Sequence, residues 1–107
     1  MANPSEPVEQ RAEPGTLEVV SELLRALANP HRLAILLELG HGPRCVHELV
    51  DSIGISQPLA SQHLRVLKAT HLVRGRRRGR EVVYTLADEH ISHIVGDAIA
   101  HAGERRG

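Results

Sequence analysis

Phe and Trp are absent from this chain and tyrosine occurs once, at Tyr84, so its interior has to be built from Leu, Ile, Val and Ala. Aliphatic side chains without aromatics favour helices packed on one another, and 107 residues leave room for one domain whose core is small unless a second copy enlarges it. A mainly α architecture is expected. The single cysteine, Cys45, allows no disulfide within the chain. No apolar run approaches the ~20 residues that a bilayer requires, and no signal-peptide pattern stands at the start, so a soluble cytoplasmic protein with no membrane partner is expected.

The last helical periodicity, from Ala87 to Glu104 (ADEHISHIVGDAIAHAGE), carries the most chemistry. At 100° per residue Ile91, Ile94, Val95, Ala98, Ile99 and Ala102 cover one broad face, and His90, His93, Asp97, His101 and Glu104 line its edge. Asp88 and His90 stand at one end, His101 and Glu104 at the other. With ~1.5 Å rise per residue, Asp88 and His101 are roughly 20 Å apart, so one chain cannot gather all four around one ion. An antiparallel pair of such helices, packed by their apolar faces about a two-fold axis, brings Asp88 and His90 of one copy opposite His101 and Glu104 of the other. Two imidazoles and two carboxylates suit tetrahedral zinc; cobalt is an alternative, and nickel would want further ligands from His93 or the N-terminus.

A net charge of zero conceals an uneven distribution. Residues 1–51 hold four arginines against eight acids, residues 81–107 two arginines against five acids, and residues 52–80 seven bases with no acid at all. A positive block confined to one segment points to a polyanion, although a solvated basic loop has the same composition.

Met1 to Gly15, with Pro4, Pro7 and Pro14 among several glutamates, is expected to be a disordered arm ahead of a domain spanning residues 16–104. Thr16 is a candidate cap for a first helix in which Leu17, Val20, Leu23, Leu24 and Leu27 recur at helical spacing, ending near Asn29. Asn29-Pro30 then pairs a capping residue with proline at the first helical position, starting a second helix from His31 to Leu39 that Gly40 ends. Past the His41-Gly42-Pro43 turn, Cys45 to Ser52 reads as a short third helix. Its inward side is Val46, Leu49, Val50 and Ile53, and Gly54 stops it.

Ser56 caps a fourth helix that has Pro58 in its first turn. Ala60, Leu64 and Leu67 step toward the core while Ser61, Arg65 and Lys68 step along an outer face, with Gln57 and Gln62 nearby and His63 either facing outward or packed beneath. A short helix, a glycine turn and a second helix with a polar, basic outer face make a helix-turn-helix. Gln and Ser read base edges, and Arg and Lys hold phosphates. Leu72-Val73-Arg74 and Glu81 to Leu86 read as two strands joined by Gly75-Arg76-Arg77-Arg78-Gly79-Arg80, a hairpin with a cationic tip. The expected fold is therefore a winged helix-turn-helix, mainly α with a small β-hairpin, and its partner is double-stranded DNA. Its expected DNA contacts are Ser56, Gln57, Ser61, Gln62, His63, Arg65, Lys68, Arg76, Arg77, Arg78 and Arg80.

LANPHRLAILLEL in the second helix, SQPLASQHLRVLK in the fourth and GRRRGREVVYTL in the hairpin resemble the ArsR/SmtB winged-helix repressors over roughly residues 16–104. The Asp88-x-His90 and His101-x-x-Glu104 pairs are similar to that family's zinc site between C-terminal helices. The resemblance implies a homodimer formed through the first and last helices, bound to operator DNA when metal-free and released when zinc binds. It also implies a hydrogen bond from His101 to a carbonyl at the end of the recognition helix, at or next to His71. Thiolate sites of other members use a Cys-Val-Cys motif on the third helix, or combine that helix with Cys and His from the arm. Cys45-Val46-His47-Glu48 keeps one thiol, and residues 1–30 contain neither Cys nor His.

Competing readings attach to several of these residues. Cys45 in an apolar helix reads first as a small core residue. His31, His41 and His47 lie near helix starts or turns and read as solvated, and His93 with Asp97 reads as a solvated helix edge. Asp88 can be a plain N-cap as well as a ligand, since a carboxylate has two oxygens. A zinc hydrolase would need an open coordination position beside a placed acid or base; no HExxH pair occurs, and no catalysis is expected. A winged-helix regulator answering Ni, Co or a non-metal signal remains the alternative.

Overall fold

Side-chain caps set the helix boundaries. In the computed structural model, which describes residues 12–106, helix α2 (Pro30–Gly40) opens where the Asn29 side chain accepts the Arg32 N–H at 3.1 Å, with Pro30 in the first turn. Helix α4 (Gln57–Ala69) opens in the same way, Ser56 Oγ accepting the Leu59 N–H at 3.3 Å. Each arrangement satisfies a donor that the helix leaves free and puts proline where no N–H is needed. Helix α1 (Thr16–Leu27) departs from expectation: Thr16 is its first residue and Gly15, at φ 87°, takes the cap position without a side-chain bond. The arm expected over residues 1–15 lies for the most part outside the described residues.

Helix α3 (Val46–Ile53) starts one residue later than expected, because Arg44–Cys45 forms a short strand, β1, paired with strand β3 (Glu81–Leu86) in the register Arg44↔Tyr84 and Cys45↔Val83. The Cys45 N–H donates to Glu48 Oε1 at 2.9 Å, holding the first turn of α3 against the strand. Two residues carry no alternation, so the sequence offered no strand signal there.

Strand β2 (Val73–Arg78) is longer than expected and absorbs the arginines. It pairs antiparallel with β3 from Val73↔Leu86 to Arg78↔Glu81, leaving Gly79-Arg80 as a two-residue turn with Gly79 at φ 65°. That conformation favours glycine and a tight hairpin. Gly75 serves a different purpose: a Cβ there would stand 3.1 Å from Val82 Cγ1 and 3.2 Å from the Tyr84 ring, so its absence lets Tyr84 lie across the hairpin toward the core. The sheet order is β1-β3-β2. Helix α5 (Glu89–Arg106) closes the chain.

Ile35, Leu49, Leu64, Leu67 and Leu72, from α2, α3, α4 and the α4–β2 connection, are the largest fully buried side chains. They bind the recognition helix to its support, and removing such a side chain costs about 2–5 kcal/mol. The end of α4 is fixed by two carbonyl closures, Leu72 N–H to Leu67 O at 2.9 Å and His71 N–H to Lys68 O at 3.1 Å, with His71 at φ 61° in the place glycine usually takes. Recognition helix and wing are thereby locked to one another. The opposite side of the molecule is unfinished. Leu17 (68%), Leu24 (50%), Ile94 (43%) and Ile99 (45%) stay exposed on α1 and α5, while Ile91 and Val95 alone among the α5 side chains are buried.

Candidate nucleic-acid interface and metal centre

The helical period of α4 sorts its residues into two faces. Ala60, His63, Leu64 and Leu67 are buried, whereas Gln57, Gln62, Arg65 and Lys68 are exposed and Ser61 is half-buried. At 100° per residue the four buried positions share an arc, and His63 falls within it. Its inclusion among the outward contacts is therefore corrected: His63 is 7% exposed and packs beneath the helix. The wing presents Arg76, Arg77, Arg78 and Arg80 to solvent. Helix row and wing both lie in the stretch from residue 52 to 80, which holds seven bases and no acid. Ser56 remains exposed, its oxygen engaged as the cap and its hydroxyl proton free to donate.

Arg32 was not singled out by sequence, yet it joins three helices. Its Nε donates to Ala26 O at 2.6 Å and its Nη2 to Arg25 O at 3.4 Å, tying the end of α1, and its Nη1 lies 3.4 Å from His63 Nδ1 on α4. The His31 ring is tilted toward His63 with centroids 5.6 Å apart. Burial first, then the charge of Arg32 and the neighbouring His31, holds the His63 imidazole below the ordinary histidine range. A neutral ring can accept from the guanidinium, so the buried histidine anchors the recognition helix to the carbonyls that end α1. The position of Arg32 in the first turn of α2 carries no signal for this, because both carbonyls come from an element that only the fold brings near.

At the other end of the molecule, Asp88 precedes α5 and acts as its cap, Oδ1 accepting the His90 N–H at 2.9 Å, with His90 Nδ1 3.4 Å from the same oxygen. One carboxylate oxygen caps and the second is left for a ligand role. Asp88, His90, His101 and Glu104 are all exposed. The structure brings the first two together and leaves the other two about 20 Å along the helix. His93 and Asp97 between them are exposed, as are His31, His41 and His47. As a donor set, two imidazoles with two carboxylates fit a tetrahedral divalent ion, provided that a second α5 supplies half of it.

The pattern of bacterial regulatory proteins of the arsR family matches residues 29–74, from the cap of α2 into β2. Over 99 residues the chain is 41% identical to the HTH-type transcriptional regulator NmtR of Mycobacterium tuberculosis, a match that takes in 92% of this chain and 79% of that one. The chain belongs to the ArsR family. It is also 61% identical over 88 residues to the HTH-type transcriptional repressor SmtB of Mycobacterium tuberculosis, covering 82% of this chain and 65% of the relative, so it spans a little under two thirds of that protein's length. Among solved structures, the solution structure of a homodimeric winged helix-turn-helix DNA-binding domain from Mycobacterium bovis superposes with a TM-score of 0.77 at 34% identity, covering 83% of this chain and 82% of that one. The winged helix-turn-helix fold expected from the sequence is thus the fold found, with β1 added to its sheet.

Proposed function

We propose that the chain is a metal-responsive transcriptional repressor of the cytoplasm: a homodimer that holds an inverted-repeat operator when metal-free and releases it when zinc is bound. One observation carries the reading. Asp88 and His90 are paired at the start of a helix whose apolar face is uncovered, and the complementary pair, His101 and Glu104, waits at its far end. A two-fold mate packed on α1 and α5 covers Leu24, Ile94 and Ile99 and completes two equivalent sites. Asp88 and His90 of one subunit with His101 and Glu104 of the other would hold zinc there, and the ion would supply the positive charge that joins the two subunits' donors.

The chain's own residues do the rest. Gln57, Ser61 and Gln62 read base edges, Arg65 and Lys68 fix the helix on phosphates, and Arg76, Arg77, Arg78 and Arg80 hold the flanking backbone. Two such surfaces related by a two-fold axis fit half-sites about 10–11 bp apart. Arg32 binds the end of α1 to His63 under α4, so a shift at the dimer interface has a direct path to the reading head. Moving a dimer from 99% competent to 1% takes on the order of 5.5 kcal/mol of differential affinity, which two sites share. No catalytic step belongs to this reading.

The test uses an operator obtained by selection from random DNA and follows binding by fluorescence anisotropy. Zinc is expected to weaken binding by wild type at least tenfold and to leave His101→Ala bound. Equal release of both proteins rejects the assignment of the site.

A further inference from the structure

Among the described histidines His63 alone is buried, and its ring stands on the seam between α4 and α2. Nδ1 lies 3.4 Å from Arg32 Nη1, while Nε2 is shut off from solvent with no hydrogen-bond partner among the described residues. A neutral imidazole that accepts at Nδ1 carries its proton on Nε2, so the bond from Arg32 selects the tautomer. Arg32 itself is held in place: its Nε donates to Ala26 O at 2.6 Å and its Nη2 to Arg25 O at 3.4 Å, both at the end of α1. Of the elements packed on α4, which include α2, α3 and β2, only α2 brings charged or titratable groups to bear on the ring. They are Arg32 and His31, the latter tilted toward His63 with centroids 5.6 Å apart, and no carboxylate is among them. A proton arriving at Nδ1 removes the acceptor, sets two cations 3.4 Å apart in a buried place and meets no counter-charge.

We infer that His63 is a proton-sensing site beneath the recognition helix: protonation drives its ring out from between α4 and α2 and weakens operator binding, so acid releases DNA without any metal. The inference rests on the reading of α4 as the helix that contacts DNA. His63 shares its face of α4 with Ala60, Leu64 and Leu67, so a ring that leaves for solvent disturbs the packing that aims Gln57, Ser61 and Gln62 outward. Burial, then the charges of Arg32 and His31, keeps the docked ring below the ordinary histidine range, whereas a ring released to solvent regains it. Loss of affinity therefore sets in as pH falls below about 6.5 and levels off once the docked ring is also protonated. By linkage, operator binding expels protons in the same window. Plain charge attraction has the opposite sign, because the seven exposed histidines can only gain positive charge in acid and draw a polyanion closer.

Full-length wild type and His63→Gln, both metal-free in chelator, separate the two signs, since the Gln amide can accept from Arg32 but does not titrate. Fluorescence anisotropy on the selected operator compares about pH 7.5 with about pH 5.5 at constant ionic strength, with circular dichroism reporting an intact fold. Between these values wild type is expected to lose at least about tenfold in affinity relative to His63→Gln, the effect of one pKa unit in a single subunit. An equal response to pH in the two proteins overturns the proposal. A second measurement needs neither DNA nor the variant. In NMR titrations of free wild type the His63 ring and the α4 amides from Ser61 to Lys68 should move together, with one midpoint below about pH 6.5. Amides that follow no such midpoint overturn the proton site, whereas this transition in a protein that binds no DNA at any pH supports the site and rejects the repressor reading instead.

Discussion

The half of the molecule that carries α4 and the wing and the half that carries α1 and α5 differ in completeness. Recognition helix and wing are finished within one chain: Leu64, Leu67 and Leu72 are buried, the α4 end is closed by two backbone bonds, and Gly79 turns the hairpin. Around α1 and α5 only the inner side is packed, through Ala26, Leu27, Ile91 and Val95, while Leu17, Leu24, Ile94 and Ile99 lie exposed and the proposed ligands form two half-sets. On the proposed reading a single chain builds the DNA-binding surface, while sensing and the spacing of two such surfaces require a second copy. Arg32 and His63 are the junction between these halves.

Charging the unfinished half should break the comparison most severely. Leu24→Glu with Ile99→Glu places carboxylates in the proposed interface, where burial of an unpaired charge is costly. The variant is expected to sediment as a monomer with an intact winged fold and to bind the two-half-site operator at non-specific levels, at least about 10³-fold weaker. A dimer that persists would mean the apolar stripes are not the interface.

A smaller effect is expected in the finished half. Arg77→Ala with Arg78→Ala removes two exposed cations from the wing. The slope of log affinity against log salt should fall in magnitude by up to about 1.8, while the preferred sequence stays the same. Anisotropy titrations from low to moderate salt measure this, and an unchanged slope removes the wing from the interface.

The junction should give the mildest signal. His63 is buried with its folded pKa held below the unfolded value of about 6.5, so its contribution to stability is complete above that pH and is lost as pH falls below it toward the folded value. In metal-free protein at fixed concentration the urea midpoint should therefore decline below about pH 6.5, and less steeply in His63→Gln. Parallel pH profiles would show that this histidine does not titrate with folding.

Much of this organisation could be read from residue spacing. Asn29-Pro30 and Ser56 announce helix starts by local chemistry, and the period of Ala60, Leu64 and Leu67 separates the faces of α4 without reference to anything distant. What spacing left open depended on contacts between elements. Strand β1 exists because β3 pairs with it, Arg76 to Arg78 lie in strand rather than turn because the register runs to Glu81, and His63 settles underneath because Arg32 is there to meet it. Cys45, read as a small core residue, is buried but borders His47 and Glu81, and no local pattern links residues so far apart in sequence. The proposed α5 set rests on the opposite kind of signal, since the separation of Asp88 and His90 from His101 and Glu104 along one helix calls for a second copy.

The central claim is that each α5 site is shared between subunits, and a heterodimer measures it most directly. One subunit carries Asp88→Ala and His90→Ala, the other His101→Ala and Glu104→Ala, and both carry Cys45→Ser so that cobalt reports α5 alone. Shared sites leave one intact set and one empty set, so cobalt(II) titration should saturate the tetrahedral d–d absorption at one equivalent per dimer, whereas neither mutant homodimer binds. Zero equivalents in a heterodimer of confirmed composition would contradict the account.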